Sequence, residues 1–311
     1  MAASGHTIVA GPWLGEVGFE LLYWVPFLAW VADRASLPPE RLLVISRGGT
    51  AGWYAPFAGR YADVFEHVSP DAFRAAHDAR VAEIGEQKQT RVTDFERGLV
   101  ETLAGRAGVG RWTLLHPSRM YQSFNPYWWG HLPPGWVHRH AIYRPLAGAR
   151  TDALRLPPSY VAAKFYFNDC FPPTEANRAF TREALARLAR SGPVVALSTG
   201  LNIDDHHGER VDEDGVRHLP EGIDPARNLA VQSAVVAGAR AFVGTYGGFS
   251  YLAPFHLVPA YAFYSDPAGF SPRHLAMARS AFERIGAAGL LRLHAVTEGA
   301  AVVDGIGAAR D

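Results

Sequence analysis

The sequence predicts an α/β protein of two domains with mostly parallel sheets, and three observations predict it. The chain has 311 residues, more than one ordinary core holds. Short β-type runs alternate with segments of helical period along its length, the pattern of βα units. A stretch rich in proline, tryptophan and arginine, 125–159, interrupts that alternation, and the pattern restarts after it. The division is placed at 150, giving domains 1–150 and 151–311.

In the first half Thr7–Ala10 reads as a strand and Phe19–Ala35 as a helix, ended by Leu37-Pro38-Pro39 because proline cannot continue it. Leu42–Ser46 (LLVIS) reads as a buried strand, and Asp63–Val68 as a further one. Pro70–Ile84 and Thr93–Ala107 carry helical periodicity, and Trp112–His116 is a strand stopped by Pro117. In the second half Tyr160–Phe167 and Val194–Ser198 read as strands, with a helix over Thr174–Arg190 between them. Thr174 suits its N-cap and Glu175 the positive end of its dipole. Ala226–Ala239 reads as a helix and Ala241–Val243 as a strand, followed by a helix from near Phe249. A strand in VPAYAFYS and a helix over Pro272–Ile285 complete the series. Ligands of such sheets sit beyond the carboxyl ends of the strands.

Composition narrows the function classes. Hydrophobic residues make up 48% and charged residues 19%, a globular balance. Lys+Arg and Asp+Glu stand at 30 each, so no global field favours nucleic acid or an anionic membrane, and any anion site is local. The single cysteine, Cys170, excludes an intrachain disulfide framework and suits a reducing compartment. The N-terminus has neither the basic region nor the apolar run of a signal peptide, and no segment is long and apolar enough to be a transmembrane segment. A cytoplasmic protein is the expectation. The oligomeric state is not legible.

Two stretches carry chemistry. Gly11–Phe27 (GPWLGEVGFELLYWVPF) sets Glu16 between Gly15 and Gly18 where the first strand gives way to the first helix. Asn228–Ser265 runs helix, short strand, glycine turn, helix. Gly244, Gly247 and Gly248 permit close approach of a ligand to the backbone. Amides of Gly248, Phe249, Ser250 and Tyr251 then stand at a helix N-terminus, an anion-binding end, and Thr245 and Ser250 add hydroxyls. By residue chemistry this is either a phosphate cradle or a tight packing turn. No Walker-type phosphate loop is present, and GPWLGEVG is not a dinucleotide fingerprint.

The C-terminal segment resembles the donor half of GT-B-fold glycosyltransferases, above all the heptosyltransferase-like and O-fucosyltransferase-like groups. The likeness rests on Ala239–Gly244, Thr245-Tyr246-Gly247-Gly248, Ser250-Tyr251-Leu252-Ala253 and Val258-Pro259. Leu14-Gly15-Glu16 resembles the L-G-D turn after the first strand of heptosyltransferases. YVAAKFYF and PVVALSTG resemble the first two donor-domain strands. The likeness covers about the second half and the first 30 residues. It departs at Thr245, where heptosyltransferase-like enzymes often carry Asp, so the donor's identity is not carried over.

The resemblance implies two Rossmann-like domains facing across a cleft. It implies a glycosyltransferase moving sugar from a nucleotide-sugar donor to an acceptor hydroxyl, with inversion and without a metal or other cofactor. The acceptor side falls to the first domain and the nucleotide sugar to the second. An acceptor hydroxyl needs a base, and Glu16 is the expected one, with Glu20 one helical turn later and His116 behind it. Glu16 also suits the dipole of the following helix. Expected donor contacts are Lys164, Asn168, Thr199, Gly200, Arg227, Thr245, Gly247, Gly248, Phe249, Ser250 and Tyr251. Lys164 and Arg227 suit solvent equally well. On the acceptor side stand Gly15, Gly18, Arg47 and Tyr121. Arg47 suits an anionic group or a local acid, and Tyr121, with its neighbouring aromatics, a sugar face or plain core. The partner is a nucleotide sugar together with a small-molecule, glycan or lipid-linked acceptor, and no nucleic acid. Asp204, Asp205, His206 and His207 are adjacent, a spacing that does not converge on one ion. A nucleotide-sugar epimerase or hydrolase of related fold, or a non-catalytic sugar-nucleotide or glycan-binding protein, would carry the same glycine turn.

Overall fold

The computed structural model describes residues 5–85, 87–147, 154–201 and 208–308. The chain forms two compact units, Met1–Arg144 with Asp224–Ala230, and Pro145–Ile223 with Val231–Asp311. The division at 150 assigned 224–230 to the second half, whereas these residues pack in the first unit.

The first unit begins with β1 (Thr7–Ala10), then α1 (Val17–Phe19), a π-helical turn over Glu20–Trp24, and α2 (Val25–Arg34). β2 (Leu42–Ser46), α3 (Ala51–Tyr54), β3 (Arg60–Asp63), α4 (Pro70–Ile84) and α5 (Asp94–Arg106) follow. β4 (Trp112–Leu115), α6 (Ser118–Trp128) and α7 (Pro134–His138) close it. The sheet order is β3-β2-β1-β4, with every pairing parallel. The unbroken apolar run of β2 is what a parallel strand covered on both faces requires, and all five residues are buried. α4 starts on the Ser69 cap and ends on Gly85 in the left-handed region, at φ 81°. α5 starts on a reciprocal capping box between Thr93 and Glu96.

Three expectations change. The first helix starts two residues early and holds a π-helical turn, which periodicity does not reveal. The strand expected over 63–68 is β3, ending at Asp63. The Asp63 carboxylate accepts the Phe65 amide and turns the chain into a 3₁₀ segment, Val64–Glu66. The aromatic stretch opening at 125 holds the end of α6 and all of α7. Met120, Tyr121, Phe124 and Tyr127 form one buried stripe at helical spacing, so these aromatics are core.

The second unit holds β5 (Val161–Lys164), α8 (Glu175–Ser191), β6 (Val194–Ala196) and β7 (Val216–His218). It continues with α9 (Asn228–Ala237, whose first residues belong to the first unit), β8 (Ala241–Thr245), α10 (Gly248–Phe255) and β9 (Ala260–Tyr264). α11 (Pro272–Arg284), β10 (Leu291–Ala295) and α12 (Gly299–Ala308) complete it. The parallel order is β10-β9-β8-β5-β6-β7. Thr174 caps α8 by accepting the Asn177 amide. Val161, Val194, Val243, Phe263 and Leu188 lie in one core cluster with Val303 and Ile306 of α12.

The strand order contains one reversal in each sheet. β6 and β8 flank β5 on opposite sides, so the strand order reverses between β5 and β8. In the first unit it reverses between β1 and β4. Beyond the carboxyl ends at such reversals a sheet opens a crevice.

A Cβ on Gly244 would run into the Lys164 carbonyl of the paired strand, whereas one on Gly98 of α5 would meet open space. Gly244→Ala is expected to cost about 1–3 kcal/mol, lowering the melting temperature by roughly 2–10 °C. Gly98→Ala is expected to raise it slightly, because alanine is the better helix former. Thermal unfolding of both variants checks the pair; equal, small effects would contradict it.

Candidate functional site

In the second unit the ends of β5 and β8 are joined by side chains. Thr245 Oγ1 donates to the Tyr166 carbonyl at 2.8 Å and accepts the Tyr166 amide at 3.0 Å. Asn168 Nδ2 donates to the Tyr246 carbonyl at 2.9 Å, while its Oδ1 accepts the Phe171 amide at 2.9 Å. A Cβ on Gly247 would collide with the Tyr166 hydroxyl and stand 3.3 Å from Asn168 Nδ2, so only glycine fits. Ser250 Oγ accepts the Gly247 amide at 3.1 Å and donates to the Gly247 carbonyl at 2.7 Å, closing the turn. α10 begins at Gly248, and the Ser250 amide bonds the Gly247 carbonyl of its N-cap at 2.9 Å.

Lys164 ends β5 beside this turn. Its Nζ donates to Gln232 Oε1 at 2.8 Å and lies 3.4 Å from the centroid of the Phe249 ring. The ring face and the amide hold an ammonium at the mouth of a helix N-terminus. An ammonium beside a helix start is the chemistry an anion requires. The division of labour differs from the expected one. The Thr245 and Ser250 hydroxyls and the Asn168 amide bond backbone and build the turn, and Tyr251 OH pairs with Tyr246 OH at 2.8 Å. The Gly247 and Ser250 amides are also spent inside the turn, on Ser250 Oγ and the Gly247 carbonyl, and Lys164 stands beside the helix start on Gln232 and the Phe249 ring.

Other expected donor contacts lie apart from this group. Thr199 and Gly200 follow β6, on the other side of β5 from the turn. Arg227 is exposed and belongs to the first unit, where its Cα lies 3.2 Å from where a Cβ on Gly49 would stand. Asp204, Asp205, His206 and His207 lie outside the described residues. Among the described residues no group of three or more His, Cys, Asp or Glu could hold a metal ion. No helix among them is long and apolar enough to cross a membrane.

In the first unit Glu16 is exposed. It precedes the first residue of α1 with φ −67° and ψ 150°, and its side chain makes no capping hydrogen bond. Glu20, expected on the same helix face, is fully buried because Glu16 stands outside the helix and Glu20 opens the π-helical turn. Glu20 Oε1 accepts from Ser46 Oγ at 2.6 Å and from the Tyr54 hydroxyl. Its Oε2 is buried with no partner among the described residues. Burial pushes the Glu20 carboxyl up to about 7, against the pull of Arg47 and of the Ser46 and Tyr54 hydroxyls.

Arg47 is 2% exposed and so does not stand open to an acceptor anion. Its Nη2 donates to the Gly15 carbonyl, holding the backbone beside Glu16. Asp63 shapes the turn after Arg47. Its Oδ2 accepts the Gly49 amide at 2.7 Å and Tyr61 OH at 2.8 Å, and burial raises its carboxyl. Gly18 is buried in α1. Tyr121 is 2% exposed and stacks on Trp13, with centroids 6.3 Å apart, so its ring is core rather than a sugar platform.

His116 is 3% exposed. Its Nδ1 accepts the Ser118 amide at 3.1 Å, and its Nε2 lies 3.4 Å from Glu96 Oε1. Burial would raise the Glu96 carboxyl, but His116, the Thr93 amide and Gln89 outweigh it and hold it low. His116 therefore serves a buried carboxylate and faces no solvent. Ser46, Tyr54, Asp63, Gln89, Glu96 and Gln232 carry the polar work without having been singled out in the sequence. Only the Thr93-x-x-Glu96 capping box left a readable signal.

No family model matches the chain, and no curated protein does. Among solved structures the chain is similar to heptosyltransferases. One is the dodecameric iron-containing heptosyltransferase TibC in complex with ADP-D-β-D-heptose, 13% identical with a TM-score of 0.43. That match covers 86% of this chain and 60% of TibC. A second is the E. coli ADP-heptose lipopolysaccharide heptosyltransferase II, 13% identical at 0.44, covering 93% of this chain and 90% of that one. A third is the E. coli heptosyltransferase WaaC with ADP, 15% identical at 0.42, covering 97% and 98%. The chain thus spans about three fifths of the length of TibC.

Glu20 makes stability depend on pH in a definite direction. Its folded value of about 7 lies above the ordinary 4.5, so between those values the native state keeps a proton the unfolded chain has released. Stability from this group is present at low pH and lost as pH rises through 7. Glu20→Gln is expected to flatten the fall in melting temperature between pH 5 and pH 8. Parallel curves for variant and parent would remove the raised carboxyl.

Proposed function

We propose that the chain is a glycosyltransferase that binds the diphosphate of a nucleotide-sugar donor at the glycine turn of the second unit. The observation that carries this reading is the meeting of the β8–α10 turn with Lys164 at the reversal of strand order. Amides at a helix start and one ammonium are the donors a diphosphate needs, both to bind and to leave as charge grows on its oxygens. The sugar-transfer part of the reading is supported by the motif resemblance around Thr245–Ala253 and Leu14–Glu16. The donor set consists of N–H groups and an ammonium, which meet phosphate oxygens directly, so the reading assigns no role to a metal. Transfer with inversion belongs to the same proposal.

Glu16 is the proposed base. It is exposed, and it stands on the loop after β1, at the reversal of strand order in the first unit. Its carboxylate accepts the acceptor hydroxyl's proton as the oxygen attacks the sugar carbon and the bond to the diphosphate breaks. The nucleoside diphosphate leaves with the bonding electron pair. A nucleotide sugar and a small-molecule, glycan or lipid-linked acceptor are the proposed partners, in the cytoplasm.

A thermal-shift panel of nucleoside diphosphates tests the donor site. A matching ligand at 100 times its Kd is expected to add roughly 2.7 kcal/mol of stability. Lys164→Ala is expected to weaken that binding about 10- to 100-fold, since it removes a charged hydrogen bond. Glu16→Gln is expected to abolish sugar transfer while leaving diphosphate binding intact, and chelation to leave turnover unchanged. No shift with any nucleotide, or Lys164→Ala binding at parental strength, sinks the donor site. Near-parental turnover in Glu16→Gln removes the base.

A further inference from the structure

We infer that Gln89 is a positioning residue that fixes the loop carrying Glu16. The inference deepens the proposed function, but its structural half stands without it. Gln89 is fully buried. Its Oε1 accepts the Leu14 amide at 2.9 Å and its Nε2 donates to the Pro12 carbonyl at 2.9 Å. One side-chain amide thereby brackets the loop two residues before Glu16, taking a donor and an acceptor that the sheet ladder leaves over. The same Nε2 donates to Glu96 Oε1 at 2.6 Å.

Glu96 is what orients Gln89. An amide's oxygen and nitrogen ends exchange by a half-turn, and in the wrong sense the oxygen would face both the Pro12 carbonyl and a carboxylate. Glu96 is fully buried and held low, its other oxygen accepting Thr93 N at 2.8 Å and Thr93 Oγ1 at 2.9 Å. A carboxylate only accepts, so the nitrogen end of Gln89 is fixed toward it. His116 Nε2, 3.4 Å from the shared oxygen, adds a second positive edge from the end of β4. The chain of contacts runs from the start of α5 and the end of β4, through Gln89, to the loop after β1. Together with Arg47 on the Gly15 carbonyl, it holds the backbone on both sides of Leu14.

Hydrogen exchange tests this directly, with activity as a second arm. Gln89→Met keeps the volume and removes both brackets. The Leu14 amide is then expected to exchange at least about tenfold faster, as expected for losing a buried bond, while β5 and β8 amides keep their rates. The double variant Gln89→Glu with Glu96→Gln restores a donor–acceptor pair between the two side chains and an acceptor for Leu14. It is expected to recover part of the protection. In a transfer assay Gln89→Met is expected to lower kcat about tenfold or more with donor KM unchanged, because the donor site lies in the other unit. Unchanged Leu14 exchange overturns the bracket. Faster exchange with unchanged kcat, in an enzyme that Glu16→Gln inactivates, overturns the positioning role. A fully active Glu16→Gln counts against the base alone, since the exchange result does not depend on it.

Discussion

The junction of β5 with β8 is the constraint on which the second unit's site depends. Gly244 is the residue that lets β8 lie against the Lys164 carbonyl. Beyond it the ladder stops, and Thr245 continues the junction with its hydroxyl, bonding both polar groups of Tyr166. Asn168 does the same for the Tyr246 carbonyl. Leaving such buried groups unmade costs about 1–3 kcal/mol each, so the turn is pinned before any ligand arrives. Its glycines then follow by exclusion, since the Tyr166 hydroxyl occupies the space of a side chain at 247. The turn is tied down because Thr245, Asn168 and Ser250, expected as ligand contacts, are spent on backbone.

The first unit uses buried charge in the same sense. Glu20 and Arg47 are both nearly inaccessible, and Asp63 sits where burial raises its carboxyl. Replacing such groups by apolar residues of similar volume is often neutral or stabilising, so stability alone does not account for them. What they fix is backbone: Gly15 through Arg47, and Gly49 and Phe65 through Asp63. The π-helical turn belongs to this arrangement, because it is where Glu20 enters the interior toward Ser46 and Tyr54.

The sequence was most legible where one period dominated. LLVIS, the helix over 70–84 and the capped helix starting at Thr174 lie where apolar spacing and caps put them. Short edge strands were silent. β7 is three residues, Val-Arg-His, and β10 alternates Leu with Arg and His at the sheet edge, so neither presents an apolar run. The stretch 125–159 does contain the change of unit after Arg144, but its proline and tryptophan content hid the helical period of the buried stripe at 120, 121, 124 and 127. In the site, glycines and Lys164 were visible, since turns and lone cations in apolar strands stand out. The partners that orient them were not. Gln89 and Gln232 lie 75 and 68 residues from the groups they bind, and no local pattern encodes such a pairing.

A proton acceptor has to satisfy two demands that pull apart. Its carboxylate must meet a substrate, so it needs exposure, and its position must hold to a fraction of an ångström, so it needs rigid support. Glu20 has the support without the exposure. Glu16 has both, because the work is divided between side chain and backbone. Its side chain faces out, while Pro12, Leu14 and Gly15 are each tied by a buried side chain from another element. The ties themselves are ordered by charge: Arg47 pulls the Glu20 carboxyl toward its charged form, and Gln89 is oriented by Glu96. A glycine-walled turn would by itself be the loosest part of the unit. The buried polar groups around it turn that freedom into a single backbone path, and the acid beside it is exposed.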